Sequence, residues 1–420
     1  MAFKDLFIYP KYPDNLQPLF KLAYNLWCTW SYDAVNLFYR IDARRFREVN
    51  HNPVKLLLNL PSERIEELST DSGFIFEMDR VWEKCQQYMG YEKTHNGEDP
   101  VTLAPDQAVA YFSMEFGLHE CIPVYGGGLG ILAGDFLKAA SDLSMPFIGV
   151  GLIYRYGYFT QKINMHGMQE EQFEEFDNHQ IPMHVIRDEH GAEHRVHMNI
   201  GRDPLSIRLW RIKVGKIPLV LLDTDLEENG PELRNITDEL YVTDREKRLQ
   251  QEFVLGVGGV LALRSLGITP QIYHINEGHS ALLVLARLRE LMIEKGFSYD
   301  EAKALIRASS VFTTHTPVIA GNESFDIELV KKYIEPEAEG LGLSFDSLAQ
   351  EGCVGGDRKI FWMPAFAIRF SRYINGVSKL HGDVSRSMWA DLFPSHPVAE
   401  IPIDSVTNGV HSHWLSEPFT

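Results

Sequence analysis

The stretch 109–151, VAYFSMEFGLHECIPVYGGGLGILAGDFLKAASDLSMPFIGVG, restricts what this chain can fold into more than any other. It reads as a strand, a loop ending in glycines, a helix and a second strand. Residues 109–116 are rich in β-branched and aromatic side chains, which suits a buried strand. Gly126, Gly127, Gly128 and Gly130 crowd the backbone where 132–143 opens a helix, and 146–150 resumes an apolar run. Glycines at a helix start let the main chain approach a ligand closely. Free N–H groups and the positive end of the helix dipole then face that ligand, which favours an anion. We read a phosphate-binding loop. The alternative is a tight loop that serves only helix–sheet packing.

With 420 residues the chain has length for two or three domains and substantial cores. A net charge of −18 speaks against nucleic acid or an anionic membrane as partner, since both attract basic patches. A small anionic substrate stays open, because local dipoles outweigh distant surface charge. Cys28, Cys85, Cys121 and Cys353 form no CxxC pair and no Cys/His zinc spacing, as expected of free thiols in a reducing compartment. No run approaches a membrane span, and the first residues hold no leader-like apolar core. The expected location is the cytoplasm.

The first hundred residues read as a separate helical domain, 1–105. Leu19, Leu22, Leu26 and Trp30 recur at helical spacing, and Phe20, Ala23 and Trp27 widen the stripe. Amphipathic segments follow at 34–40, 54–60 and 75–88, and the polar stretch 93–105 reads as a connection. An aromatic stripe gripping a sugar polymer is the alternative to a packed helical cap. The second domain, 106–420, contains antiparallel strands over 181–222, where His184, His190, His194 and His197 read as surface histidines. No metal ligand set is expected. Thr243 with Glu246, and Ser298 with Glu301, form capping-box patterns ahead of helices. A further helix is expected over 362–380.

From 271 onward strands and helices alternate, which argues for a doubly wound α/β sheet with ligands at the carboxyl ends of its strands. Three polar clusters fall at such ends: Met114-Glu115, Asn276-Glu277-Gly278-His279 and His315-Thr316-Pro317. Each alone could cap the next helix. Together, beside a glycine-rich helix start, they mark a site.

YFSMEFGLHECIPVYGGGLGILAGD, QIYHINEGHSALL, VFTTHTPVIAGNESF and SVTNGVHSHWL resemble, in this order, the N-terminal half of the α-glucan phosphorylase family in its short bacterial and archaeal form. The resemblance implies a Rossmann-like N-terminal domain of a two-domain glycosyltransferase (GT-B) architecture, preceded by a helical segment. It implies retaining phosphorolysis of α-1,4-glucans to glucose 1-phosphate, with pyridoxal 5'-phosphate serving through its phosphate. Carried over by motif, Gly127, Gly128 and Leu129 face the phosphates and the terminal sugar. His315 contacts the sugar at the cleavage subsite, Asn408 holds a sugar hydroxyl, and Glu115, Glu277 and His279 line the same pocket. Phosphorylases of this family are commonly dimers.

Gly126 stands where longer enzymes of the family carry asparagine, and Gly117 where they carry an aromatic residue, as in the short form. The family's cofactor lysine lies in a Lys-Arg motif continued by Tyr-Lys-Arg in the C-terminal domain. The only Lys-Arg pair here, Lys247-Arg248, lacks that continuation. The expectation is therefore that 1–420 holds half of the cleft and needs a C-terminal domain, in cis or in trans, for activity. A glucan synthase shares the architecture, but it usually places a lysine shortly before the glycines, where Tyr125 and Gly126 stand. Gly128, Gly130 and Ala133 satisfy a loose dinucleotide motif without its acidic partner. A non-catalytic glucan-binding half-protein is the remaining alternative.

Overall fold

The computed structural model describes residues 10–90, 108–173 and 175–411. The expected connection at 93–105 and the boundary at 105/106 lie outside the described residues.

The first described stretch is helical: Gln17–Ala23, Trp27–Trp30, Tyr32–Glu48, Pro53–Leu58, Ser62–Thr70 and Ser72–Met89. Local chemistry sets the ends. Asn52 accepts from the Lys55 amide and Asp71 from the Phe74 amide, each satisfying an N-terminal donor, and Gly90 closes the last helix in the left-handed region. The inward stripes of Leu19, Leu22, Leu37, Phe38, Phe74 and Met78 meet in a core of their own. This bundle is clasped to the rest of the chain at Asn25. Its Nδ2 donates to the Gly215 carbonyl (3.1 Å), and its Oδ1 accepts from the Gly215 amide (3.0 Å). Alongside, the Leu26 amide donates to the Lys213 carbonyl at 2.9 Å. His184, expected at the surface, stacks on Tyr24 in the same seam.

The strands, in chain order, are β1 Val109–Phe112, β2 Phe147–Leu152, β3 Thr160–Ile163, β4 Gln169–Gln172, β5 Met183–Val185, β6 Arg195–Ile200 and β7 Asp203–Val214. They continue with β8 Ile217–Asp223, β9 Ile272–Asn276, β10 Ser310–Thr314, β11 Ser324–Asp326, β12 Ile360–Trp362, β13 Tyr373–Gly376 and β14 Asp404–Ser405. The main sheet runs β14-β13-β10-β9-β1-β2-β8-β7-β5, with β6 also on β7. From β14 to β8 every pairing is parallel, and β7 joins β8, β6 and β5 antiparallel. Among the parallel strands, β2 is apolar along its whole length and all six of its residues are buried, as expected where both faces of a sheet are covered. The antiparallel β6 alternates instead, with Val196, Met198 and Ile200 inward. From β1 the chain builds outward to β2 and β8, then returns to β9 on the other side. The order reverses between β1 and β9, which opens a crevice at their carboxyl ends.

Several expectations shift. Strand β1 stops at Phe112 rather than 116, because the Ser113 hydroxyl turns back to the Glu115 carbonyl. The glycine-rich helix begins at Gly128 rather than 132 and runs to Asp142. The single helix expected over 362–380 is instead a helix Met363–Arg369, strand β13 and a helix Lys379–Met388. Strand β13 fills the sheet position between β10 and β14, and that tertiary demand overrides local helical spacing. Asp244, not Thr243, caps the helix Arg245–Phe253, and a π turn Val254–Gly258 stands between it and the helix Gly259–Ser265. The capping box of Ser298 and Glu301 forms as read.

Candidate active site

Glu115, past the end of β1, is 1% exposed. Its Oε2 accepts from the amides of Gly126 (2.6 Å) and Gly127 (3.2 Å), and its Oε1 accepts from the Tyr241 hydroxyl. The first anion at the glycine loop is thus the chain's own carboxylate. Next along, the amides of Gly128 and Leu129 open the helix Gly128–Asp142 and have no main-chain acceptor among the described residues. Gly127 and Gly128 are exposed. The loop therefore keeps two donors for a ligand at the positive end of a fifteen-residue helix.

Beyond β9, Glu277 holds a φ of +64°, which is uncommon for a residue with a side chain. Its contacts account for that conformation. Oε1 accepts from the Gly278 amide (3.1 Å), and Oε2 from the amides of His315 (2.8 Å) and Thr316 (3.2 Å) and the Thr316 hydroxyl (3.2 Å). Burial raises the Glu277 carboxyl above its usual range, while these donors pull it back down. Glu277 is a bracket that fixes the turn after β10.

That turn carries His315. Its Nε2 lies 2.6 Å from Asn276 Oδ1, an amide oxygen that can only accept, so the ring proton is on Nε2 and Nδ1 is left as an acceptor. Asn276 in turn donates Nδ2 to Ser113 Oγ at 3.0 Å. A line of hydrogen bonds runs across the ends of β10, β9 and β1. Burial, with His381 nearby, lowers His315 to about 4, so the imidazole is neutral at neutral pH.

These groups meet in a cleft of about 420 Å³ lined by Leu129, Tyr241, Arg245, Arg248, Glu277, His279, His315 and Glu323, among others. Its floor is an ion-pair network. Glu323 accepts from Arg245 Nη1 (2.6 Å) and Arg248 Nε (3.0 Å), and the same Nε lies 3.3 Å from Glu252 Oε1. Glu252, His279 and Glu323 each offer a ligand atom within 4.8 Å of one another, a grouping sized for a metal ion. Arg248 already stands between the two carboxylates and supplies the positive charge a cation would bring. A divalent ion there would face a guanidinium at contact distance. Burial alone would lower Arg248, but Glu252 and Glu323 together raise it above its ordinary value. Burial and the neighbouring Glu323 raise Glu252 well above the carboxylate range, and burial drives His279 well below the usual histidine value.

Residues 12–122 match a family model described as a protein of unknown function, DUF3417, and residues 122–203 match the model for carbohydrate phosphorylase. The maltodextrin phosphorylase of Thermococcus litoralis is 41% identical over 96% of this chain and 48% of its own length. The glycogen phosphorylase of Mycobacterium tuberculosis is 38% identical over 97% of this chain and 49% of its own. That of Aquifex aeolicus is 35% identical over 94% and 55%. These matches support the short bacterial and archaeal phosphorylase family. The chain spans about half the length of the curated relatives it matches.

Of the residues the phosphorylase motifs single out, Leu129, Glu277, His279 and His315 line one cleft. Gly127 and Gly128 lead directly into Leu129. Glu115 sits behind the glycine loop, its oxygens taken up by Gly126, Gly127 and Tyr241. Asn408, beyond β14, donates its amide to the Val377 carbonyl (3.1 Å) and is not among the residues lining the cleft. Sequence reasoning gives no role to Ser113, Tyr241, Arg245 or Glu323. Arg245 and Arg248, three apart on one helix face, are the available signal. Pyridoxal phosphate needs a lysine amine for its aldehyde, and no lysine lines this cleft. The described residues do not fit its attachment; what they hold toward a phosphate is the Gly128 and Leu129 amides at the helix start and the arginines of the cleft, Arg245 and Arg248.

Proposed function

We propose that the protein acts as an α-1,4-glucan phosphorylase, transferring the terminal glucosyl unit of glycogen or maltodextrin to inorganic phosphate with retention, and releasing glucose 1-phosphate. The observation that carries this reading is the helix start at Gly128 and Leu129, whose amides have no main-chain acceptor among the described residues and whose Leu129 lines the same cleft as His315. Breaking a glycosidic bond builds oxocarbenium-like positive charge, which an adjacent phosphate can stabilise and then trap. The chain's part is to hold that anion on fixed dipoles and to orient hydroxyls. A neutral His315, proton on Nε2, presents Nδ1 to accept from a sugar hydroxyl. The amides bind the anion at no cost in reorganisation.

On the same reading residues 1–105 form a helical domain and 106–420 a Rossmann-like one, the first half of a GT-B pair whose second half supplies the opposite wall, basic phosphate ligands and the cofactor lysine. A cytoplasmic location and a homodimer accompany it. Maltodextrin and phosphate should yield glucose 1-phosphate when 1–420 is joined to the remaining half of its relatives' length, and none with 1–420 alone. Glucosyl transfer from ADP-glucose in place of phosphorolysis would overturn the assignment in favour of a synthase.

A further inference from the structure

Tyr241 is the one aromatic residue in the described part of the chain that combines a φ of +60° with a place in the cleft wall. A side chain held in the left-handed region costs backbone strain, so its surroundings must hold it there. They do so at both ends of the ring. The hydroxyl donates to Glu115 Oε1, and the ring face lies 5.1 Å from the Arg248 guanidinium. Burial and Glu115 raise the phenol far above its usual range, so it stays a donor at every working pH.

Glu115 is the junction. Its other oxygen grips Gly126 and Gly127, and Gly130 packs so closely that an added Cβ would stand 2.8 Å from Oε2. The carboxylate therefore has no room to swing while its three donors are in place. If the Tyr241 donor is lost, Oε1 has no partner in a 1% exposed site, and the carboxylate must reorient to recover one. Gly126 and Gly127 would follow it, and Gly128 is the next residue.

We propose that Tyr241 is a positioning residue: through Glu115 it straps the segment ahead of helix Arg245–Phe253 to the glycine loop, and so sets the direction in which the Gly128 amide meets an anion. The phosphate in this proposal rests on the phosphorylase reading; the strap itself does not. It ties together two walls of the cleft that lie 126 residues apart in sequence.

The test uses residues 1–420 labelled with ¹⁵N-glycine, comparing wild type with Tyr241→Phe, Glu115→Gln and, as a control, Tyr299→Phe. In Tyr241→Phe the Gly126, Gly127 and Gly128 amide resonances should move, with the melting temperature within about 2 °C of wild type. Titration with inorganic phosphate, followed at Gly128, should show affinity about fivefold weaker or more. Glu115→Gln should perturb the same three resonances, and Tyr299→Phe, which removes a tyrosine–glutamate hydrogen bond elsewhere in the fold, should not. Unchanged Gly126–Gly128 resonances in Tyr241→Phe would overturn the strap. If wild-type Gly128 ignores phosphate, the phosphorylase reading is what fails, and the ligand-free resonances still decide the strap.

Discussion

Asn276 Oδ1 sits 2.6 Å from His315 Nε2, and the same Asn276 reaches Ser113 through Nδ2. One buried amide thus chooses the tautomer of the cleft histidine and ties it to the central strand. Asn276→Ala should leave the fold intact and, on the proposed phosphorylase reading, lower phosphorolysis by the full-length protein on the order of 10–100-fold, since the ring is no longer aimed. Asn276→Asp should do something different. A carboxylate partner favours the charged imidazolium, so the His315 titration should rise from about 4, seen as a shift in its ring resonances. An unmoved titration in that variant means the pair is not formed.

Glu277 feeds four donors on two strand ends. Glu277→Ala strands buried N–H groups and should cost about 2–4 kcal/mol in urea unfolding. Glu277→Gln keeps an acceptor and should cost less. Equal losses for the two would argue against the bracket.

Two glycines of one helix make opposite predictions. A Cβ on Gly134 would stand 2.0 Å from the Gly117 carbonyl oxygen, which is backbone and cannot step aside. Gly134→Ala should therefore destabilise by about 3 kcal/mol. A Cβ on Gly128 meets nothing within 4 Å. Gly128→Ala should keep its stability within about 1 kcal/mol, yet weaken phosphate binding about tenfold, because the methyl occupies the ligand's approach. Calorimetric unfolding and phosphate titration of the two variants separate packing from recognition.

Acid should loosen the fold through its buried imidazoles. His119, His274 and His315 are each lowered from 6.5 to about 4, principally by burial. Between those values the unfolded chain binds protons that the folded chain refuses. Their stabilising contribution is complete above about 6.5 and is lost as pH falls toward 4, at roughly 1.4 kcal/mol per pH unit per histidine. Glu252 and Glu277, raised by burial, run the other way and favour the fold at low pH. The histidine share is isolated by His274→Gln, whose melting temperature should fall less between pH 7 and pH 5 than that of wild type. Parallel curves would contradict it.

The parallel α/β order, the glycine loop and the three polar strand ends can be read from the sequence because each is local. Apolar runs, turn residues and caps announce themselves within a few positions. Residues 373–376 cannot be read this way, since their strand exists only because β10 and β14 flank it. The same limit hides the work of Glu115. A glutamate after a strand looks like a group facing a ligand, and only the fold brings Gly126, Gly127 and Tyr241 around it. In sequence Arg248 is half of a dipeptide, while its meaning lies in Glu323, far along the chain.

The clasp between Asn25 and Gly215 has a consequence for how the chain is made. Its partners are 190 residues apart. At about 5–20 residues per second, a ribosome delivers Gly215 roughly 10–40 s after Asn25. The helices of residues 14–89 carry their own core and can settle within that interval, presenting a finished docking face to the sheet as it emerges. The order of synthesis thus makes the helical bundle the template and the β7–β8 turn the late arrival.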